Sequence, residues 1–227
     1  MKRSEINTIL REAEGFLAEN RFVLPDWASW SLDQWRDNRD RTEYIRERML
    51  GWDITDFGSG KFDECGLFLF CLRNGKIGVD KKPYAEKIMI VGEGQETPFH
   101  FHWYKMEDII NRGGGNLVVE FYNADENEEF ADTLVSVLVD GIEHVVEPGG
   151  KIVLRPGQSV CMTQHLYHRF YGEPGRGTVL VGEVSQCNDD TSDNRFHEAV
   201  GRFPEIEEDE IPYHLLCSEY DRFAGEK

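Results

Sequence analysis

The sequence predicts a mainly β protein in which an antiparallel barrel or sandwich follows an α-helical extension. From residue 61 onward, short apolar runs of strand length alternate with turn residues. Asp140-Gly141 has the composition of a two-residue hairpin turn, which joins antiparallel neighbours. Before residue 60, apolar residues recur at helical spacing instead. These three observations place the helices at the start of the chain and the sheets after them.

Residues 1–60 are expected to form helices that pack against the barrel. Ser4 can cap a first helix, which Asn20-Arg21 ends, and Ser31 can cap a second helical stretch. Gly58-Ser59-Gly60 has the composition of a linker. The apolar positions of the first helix are Ile6, Ile9, Leu10, Ala13, Phe16 and Leu17.

Residues 61–200 are expected to form the barrel, and residues 201–227 a C-terminal segment. Short strands at regular spacing favour an antiparallel sandwich or barrel over alternating β–α units. In the C-terminal segment, the acidic run 205–210 predicts a solvated surface, and residues 211–216 predict a final short helix. The runs that predict strands are 67–72, 87–92, 99–103, 116–122, 134–139, 143–146, 151–154, 159–162, 168–171 and 178–184.

Composition narrows the partners that the protein can have. The chain has 227 residues, of which 40% are hydrophobic, and a net charge of −18. A surface this acidic repels phosphate backbones and anionic lipid head groups, so we expect neither nucleic acid nor a membrane as partner. The longest apolar stretch has six residues, far short of the ~20 that span a bilayer. A small neutral, hydroxylated substrate suits this surface better.

The N-terminus and the cysteines predict a cytoplasmic protein. Met1-Lys2-Arg3-Ser4-Glu5 has no apolar core behind its basic residues, unlike a signal peptide. The cysteine count is odd and no CxxC pair occurs, which indicates reduced thiols rather than a disulfide framework or a cysteine zinc site. The five cysteines are Cys65, Cys71, Cys161, Cys187 and Cys217.

The histidines indicate a metal site. His100 and His102 are two residues apart, so on a strand both imidazoles point to the same face, and Glu107 follows across a turn or bulge. A third histidine on a neighbouring strand would complete a mixed N/O ligand set. His165 and His168 are the two candidates. The alternative is that an isolated HxH pair consists of ordinary surface histidines.

The spacing Gly94-x5-His100-x-His102-x4-Glu107-x6-Gly114 resembles the first signature of the cupin superfamily at every position. The resemblance implies a double-stranded β-helix, or jelly-roll barrel, with the two histidines and the glutamate as metal ligands. The second signature, opening at Gly157, places a histidine at 168, which favours His168. Thr163 and His165 stand where that signature has proline and glycine.

A closer resemblance is to the D-lyxose isomerase family of metal-dependent sugar isomerases. It rests on the segments 97–102, 105–107, 154–157, 168–170, 182–185 and 189–196. It implies that His100, His102, Glu107 and His168 bind Mn²⁺ or another divalent first-row metal. It also implies interconversion of D-lyxose and D-xylulose, with D-mannose and D-fructose as a further pair, through a metal-bound cis-enediol. Because cupins commonly pair through their sheets, a homodimer is expected.

Aldose–ketose isomerisation also needs a base near the migrating proton and proton delivery to the oxygens. Lys105 lies between two ligands and can donate or relay a proton; the alternative is a solvated turn lysine. Glu183 interrupts an apolar run and can act as base, with low-dielectric walls raising its pKa. Its alternatives are a residue on an edge strand or the partner of a buried arginine. Lys105 is also a candidate for binding the substrate. Asp189, Asp190 and Arg195 are candidates for binding the far hydroxyls of the sugar; the alternative is that their loop is polar only because it is solvated.

Two other functions can use the same residues. An iron-dependent cupin dioxygenase has the same four ligands but does not require Lys105, and it usually has a drier, more apolar cavity. A non-catalytic cupin that binds a sugar or a metal could dispense with an intact ligand set. The isomerase is favoured over both.

Overall fold

The computed structural model describes residues 1–189, 192–201 and 204–223, and its centre consists of two antiparallel sheets that curl against each other. The larger sheet has the strand order β1-β2-β3-β13-β5-β11-β8-β9, and the smaller one β10-β6-β12-β4-β14, with β7 beside β6. The prediction of a mainly β, double-sheet protein of the cupin type is confirmed. The strands are β1 (Gly51–Thr55), β2 (Leu67–Arg73), β3 (Tyr84–Val91), β4 (Thr97–Phe101), β5 (Glu107–Gly114), β6 (Leu117–Ala124), β7 (Phe130–Ala131), β8 (Val135–Val139), β9 (Ile142–Val146), β10 (Gly150–Leu154), β11 (Ser159–Met162), β12 (Leu166–Gly172), β13 (Val179–Gln186) and β14 (Arg195–Phe196).

Helix α1 (Arg3–Glu19) packs on the outer face of the larger sheet. Strand β2 is apolar without alternation because both of its faces are covered. Phe68 and Phe70 pack with the buried side of α1, whereas Leu69 and Cys71 belong to the core between the two sheets. The buried apolar positions of α1 are Ile6, Leu10, Ala13 and Leu17.

The remaining helices are short. They are α2 (Leu32–Asp37), α3 (Glu43–Glu47) and α4 (Tyr220–Phe223), with 3-10 turns at Asp26–Ser29 and Arg39–Arg41. Ser31 caps α2 as predicted, because its hydroxyl accepts from the Gln34 amide at 3.3 Å. The prediction for Ser4 is wrong: α1 begins at Arg3, with Lys2 in the N-cap position.

Three further elements differ from the sequence prediction. The first 60 residues are not helical throughout, since Gly51–Thr55 is strand β1 at the edge of the larger sheet. Glu107 is the first residue of strand β5, which was not predicted from the sequence because charged residues and glycines interrupt its apolar pattern. Residues 211–216 form no helix; the short helix lies instead at Tyr220–Phe223.

The C-terminal segment returns to the beginning of the chain. Leu216 forms a parallel bridge with Trp52 of β1, and Glu207 forms one with Lys2. Leu215, Cys217 and Tyr220 pack with Trp35 of α2 in a small apolar cluster. Among the described residues, no helix combines the length and the apolar character needed to cross a membrane.

Candidate metal centre and catalytic pocket

The two sheets bring four potential metal ligands to one point between them. His100 on β4 lies directly opposite His168 on β12, and His102 follows the end of β4. Glu107 reaches the same point from the other sheet, as the first residue of β5. All four side chains are buried, and their ligand atoms lie within 4.8 Å of one another.

Each imidazole ring in this cluster is held by a backbone carbonyl. Because a carbonyl can only accept, each Nδ1 donates its hydrogen, which leaves each Nε2 as the ring atom available to a metal. Anchoring of this kind is typical of metal-binding histidines. The contacts are His100 Nδ1 to Pro98 O (2.9 Å), His102 Nδ1 to Asp193 O (2.9 Å) and His168 Nδ1 to Leu166 O (3.0 Å).

The Nε2 atoms of the cluster are better suited to binding a cation than to hydrogen bonding within the protein. Among the described residues, Nε2 of His102 and Nε2 of His168 are buried without a hydrogen-bond partner, although they lie 3.4 and 3.1 Å from Glu107 Oε1. Burial and the two neighbouring imidazoles lower the pKa of His100 well below its ordinary value, so that ring is neutral. Three imidazoles and one carboxylate are a donor set that suits a divalent first-row metal.

Glu107 is held in its charged form by its neighbours. Burial alone raises the pKa of this carboxyl, but the Lys105 ammonium, 2.7 Å away, and the His102 ring outweigh burial. The pKa of Glu107 therefore lies well below its ordinary value. An ionised carboxylate is the form that binds a metal.

Lys105 and Glu183 meet beside this cluster. Lys105 Nζ donates to Glu183 Oε1 at 3.1 Å, so the lysine bridges the glutamate to Glu107. Lys87, on β3, lies directly opposite Glu183 on β13, and its ammonium is 3.2 Å from the same carboxylate. Ser185, two residues along the strand, donates its hydroxyl hydrogen to Glu183 Oε1 at 2.9 Å. Glu183 is thus a buried carboxylate between two lysines.

The structure corrects the predicted direction of the Glu183 pKa. Burial raises the pKa, as the sequence argument expected, but the positive charges of Lys105 and Lys87 outweigh burial and lower it. The carboxyl is therefore ionised at neutral pH, which is the state that a general base requires.

Sequence reasoning missed three residues that organise this pocket. Lys87 interrupts an apolar strand much as Glu183 does, but its partner lies 96 residues away. Asn188 Oδ1 accepts from Lys87 at 2.7 Å and from Lys105 at 3.3 Å. The Asp193 carboxylate accepts from the Lys105 amide at 2.9 Å and so fixes the loop between two of the ligands.

Other candidates from the sequence lie elsewhere. His165 is not part of the ligand cluster; its ring packs on Phe101, with centroids 5.1 Å apart. Arg195 donates to Glu128 at 3.3 Å and does not line the pocket. Its role in sugar binding stays a prediction, and Asp190 lies outside the described residues.

The rest of the pocket wall is largely apolar, with Phe57, Leu67, Leu69, Met89, Ile109, Phe170 and Phe196.

Comparison with known proteins agrees with this chemistry. The family model described as D-lyxose isomerase matches residues 1–220. The chain is 49% identical to the D-lyxose/D-mannose isomerase of Serratia proteamaculans, over 99% of this chain and 100% of that protein. It is 48% identical to the D-lyxose/D-mannose isomerase of Escherichia coli O157:H7, over 98% of this chain and 100% of that protein.

Solved structures support the fold. An L-ribose isomerase of Cellulomonas parahominis, in a structure with L-ribose, superposes with a TM-score of 0.61 at 16% identity, covering 91% of this chain and 98% of that one. A mutant of the L-ribose isomerase of Acinetobacter sp. DL28, also in complex with L-ribose, gives a TM-score of 0.60 at 16% identity over the same shares.

Proposed function

The chain belongs to the D-lyxose isomerase family and is an aldose–ketose isomerase, and on that premise we propose that it interconverts D-lyxose and D-xylulose, with D-mannose and D-fructose as a second pair. The names of its two relatives support this choice of sugars. D-lyxose and D-mannose share their configuration at carbons 2 to 4, so one pocket can accept both. The observation that carries the proposal is the buried ligand cluster with an ionised Glu183 beside it.

We propose that His100, His102, Glu107 and His168 hold one divalent metal, with manganese as the native ion. The lone pairs without partners on His102 and His168 support this, since a cation satisfies them directly. When bound, such an ion polarises the carbonyl of the sugar and stabilises the negative charge that develops on its oxygens.

Glu183 and Lys105 carry the proton chemistry in this proposal. Glu183 removes the proton from carbon 2 of the aldose and returns it to carbon 1, through a cis-enediol. The hydroxyl on carbon 2 loses its proton and the oxygen on carbon 1 gains one. We propose that the ammonium of Lys105 relays that proton, and its distance of 3.1 Å from Glu183 supports this role. The apolar wall excludes water, which strengthens each of these electrostatic contacts.

A panel of aldopentoses and aldohexoses tests the activity. Chelated enzyme is supplied with manganese and assayed for ketose under nitrogen and in air. We expect D-xylulose from D-lyxose at the same rate in both atmospheres, with no nicotinamide added. Activity that requires oxygen would favour the iron-dependent dioxygenase instead, and sugar binding without turnover would favour a non-catalytic cupin.

Solvent deuterium tests the role of Glu183. A carboxylate base exchanges its proton with solvent during the lifetime of an enediol, so deuterium should appear on the carbon that receives the proton. Glu183→Gln should keep the metal and lose turnover by ~10²–10⁴-fold. Full activity in that variant would remove Glu183 as the base, and complete retention of the substrate label would indicate a hydride shift.

We also propose a cytoplasmic homodimer. Leu138, Val145 and Val184 are exposed apolar residues on the larger sheet, and a second copy can cover them. The five cysteines are free, which suits a reducing compartment. Sedimentation of the wild type and of Leu138→Lys tests the dimer, since a charge at a buried interface should favour the monomer.

A further inference from the structure

Thr97 carries a buried hydroxyl without a hydrogen-bond partner. The residue is 3% exposed, and its Oγ1 has no partner among the described residues. Buried hydroxyls in proteins are nearly always paired, because burying one unpaired is unfavourable. An exception of this kind calls for an explanation, and Thr97 lines the same pocket as the ligand cluster.

A β-bulge turns Thr97 toward that pocket. His168 of β12 lies opposite His100 of β4, and Phe170 of β12 lies opposite Thr97 of β4. The two pairs are separated by two residues on β12 but by three on β4. The extra residue on β4 is the bulge, and a bulge re-aims the side chains beside it. Strict alternation would place Thr97 and His100 on opposite faces of the strand. With the bulge, both face the space between the sheets, as Phe170 does.

The other hydroxyl in the pocket wall is already engaged. Thr55 accepts a hydrogen bond from the Phe57 amide at 2.9 Å and so stabilises the turn after β1. The Thr97 hydroxyl makes no such bond within the part of the chain that the structure describes, which leaves the contents of the pocket to pair with it. Thr97 belongs to the smaller sheet and Glu183 to the larger one, so the two residues approach a bound molecule from opposite sides.

We propose that the hydroxyl of Thr97 binds one hydroxyl of the sugar beyond carbon 2, and so selects among sugars by the hydroxyl that they present there. The inference rests on the proposed isomerase function and extends it to a residue with no part in the proton transfer. A hydroxyl both donates and accepts, which suits a sugar hydroxyl as its partner. A pocket built to bond a substrate hydroxyl discriminates against analogues that lack it.

The test combines Thr97→Val, which keeps the shape but removes the hydroxyl, with D-lyxose and its 3-deoxy, 4-deoxy and 5-deoxy forms. On D-lyxose, kcat/KM should fall about tenfold, as for the loss of one neutral hydrogen bond. On the one deoxy sugar that lacks the contacted hydroxyl, wild type and variant should have equal kcat/KM. A uniform fall across the panel, or no fall at all, would overturn the proposal.

Two matched variants separate binding from folding. Thr97→Ser keeps the hydroxyl and should restore the wild-type preference among the sugars. Thr55→Val removes the hydroxyl that the protein itself uses, and should lower the melting temperature without changing that preference. Thr97→Val should melt no lower than the wild type. If the wild type isomerises no aldose, the proposed function fails; if it does and Thr97→Val shows the same preferences, only the role of Thr97 fails.

Discussion

Two clusters of buried charge among the described residues differ in what they leave unpaired. Arg3 on α1 is fully buried and bonds Glu208 and Glu219 of the C-terminal segment through Nε, Nη1 and Nη2. None of these three side chains has a buried nitrogen or oxygen without a partner. The pocket between the sheets, by contrast, leaves Nε2 of His102 and Nε2 of His168 without one.

This difference separates a structural network from a functional one. The Arg3 network satisfies its own groups, so it joins the two ends of the chain without further help. The pocket positions its groups just as firmly, through backbone carbonyls and paired lysines, but it needs a ligand from outside to satisfy them. Substitutions in the first network should therefore change stability, and substitutions in the second should change chemistry.

The largest effect is expected when a ligand is removed from the pocket. His102→Ala should lose the metal, and turnover should fall more than ~10³-fold, since removing one stabilising donor already costs 10²–10³. His165→Ala is the matched control, because this ring lies outside the cluster and the variant should keep both metal and activity. Metal analysis of the two purified variants decides this. Metal retained in His102→Ala and lost from His165→Ala would mean that the ligand set is wrong.

Local sequence was enough to predict three of the four residues of the buried cluster. His100 and His102 are two residues apart, so alternation predicts one direction for both, whereas Glu107 reaches the cluster from the other sheet and followed only from its spacing in the motif. Most strands were also predictable, because their apolar runs are bounded by turn residues. β1 and β5 were not predictable, since both carry charged residues among the apolar ones and are stabilised by pairing with distant strands.

The support around the ligands depends on strand register, which the sequence alone does not provide. Lys87 faces Glu183 only because β3 pairs with β13 in one particular register. The lowered pKa of Glu183 follows from that pairing, and so reasoning from burial alone gave the wrong direction. Thr97 likewise needed the β-bulge, because strict alternation turns it away from the histidines.

The next largest effect tests the structural network. Arg3→Met leaves Glu219 buried without its partner and should lower the free energy of unfolding by ~3–5 kcal/mol. Turnover per folded molecule should not change. Arg222→Met is the control, because Arg222 is exposed and its pair with Glu208 is worth at most ~1 kcal/mol. Urea unfolding together with kcat measures both; a lower kcat in folded Arg3→Met would mean that the two regions are coupled.

A smaller effect is expected at Lys87. In Lys87→Met, Glu183 loses one of the two cations that lower its pKa, so the pKa should rise. The acid limb of kcat/KM against pH should then move to higher pH. Lys151→Met, half-exposed and outside the pocket, should leave the profile unchanged. An unmoved acid limb in Lys87→Met would show that Glu183 does not limit the rate.

The smallest effect concerns the pH dependence of stability. The hydrogen bond from Arg3 lowers the pKa of Glu208, so this carboxylate contributes stability above its ordinary pKa of about 4.3 and loses it as the pH falls toward the lowered value. Below about pH 4, the free energy of unfolding of the wild type should fall more steeply with falling pH than that of Arg3→Met. Parallel curves would show that Glu208 contributes nothing through Arg3.

Metal reconstitution tests the central claim most directly, namely that the pocket with unpaired histidine nitrogens works only with an ion bound. Chelated enzyme is titrated with Mn²⁺ while bound ion and D-lyxose turnover are followed together. Turnover should be absent at the start and should rise in proportion to bound ion, until one ion is bound per chain. Full turnover by the ion-free enzyme, or an equal rise in His102→Ala, would contradict the claim.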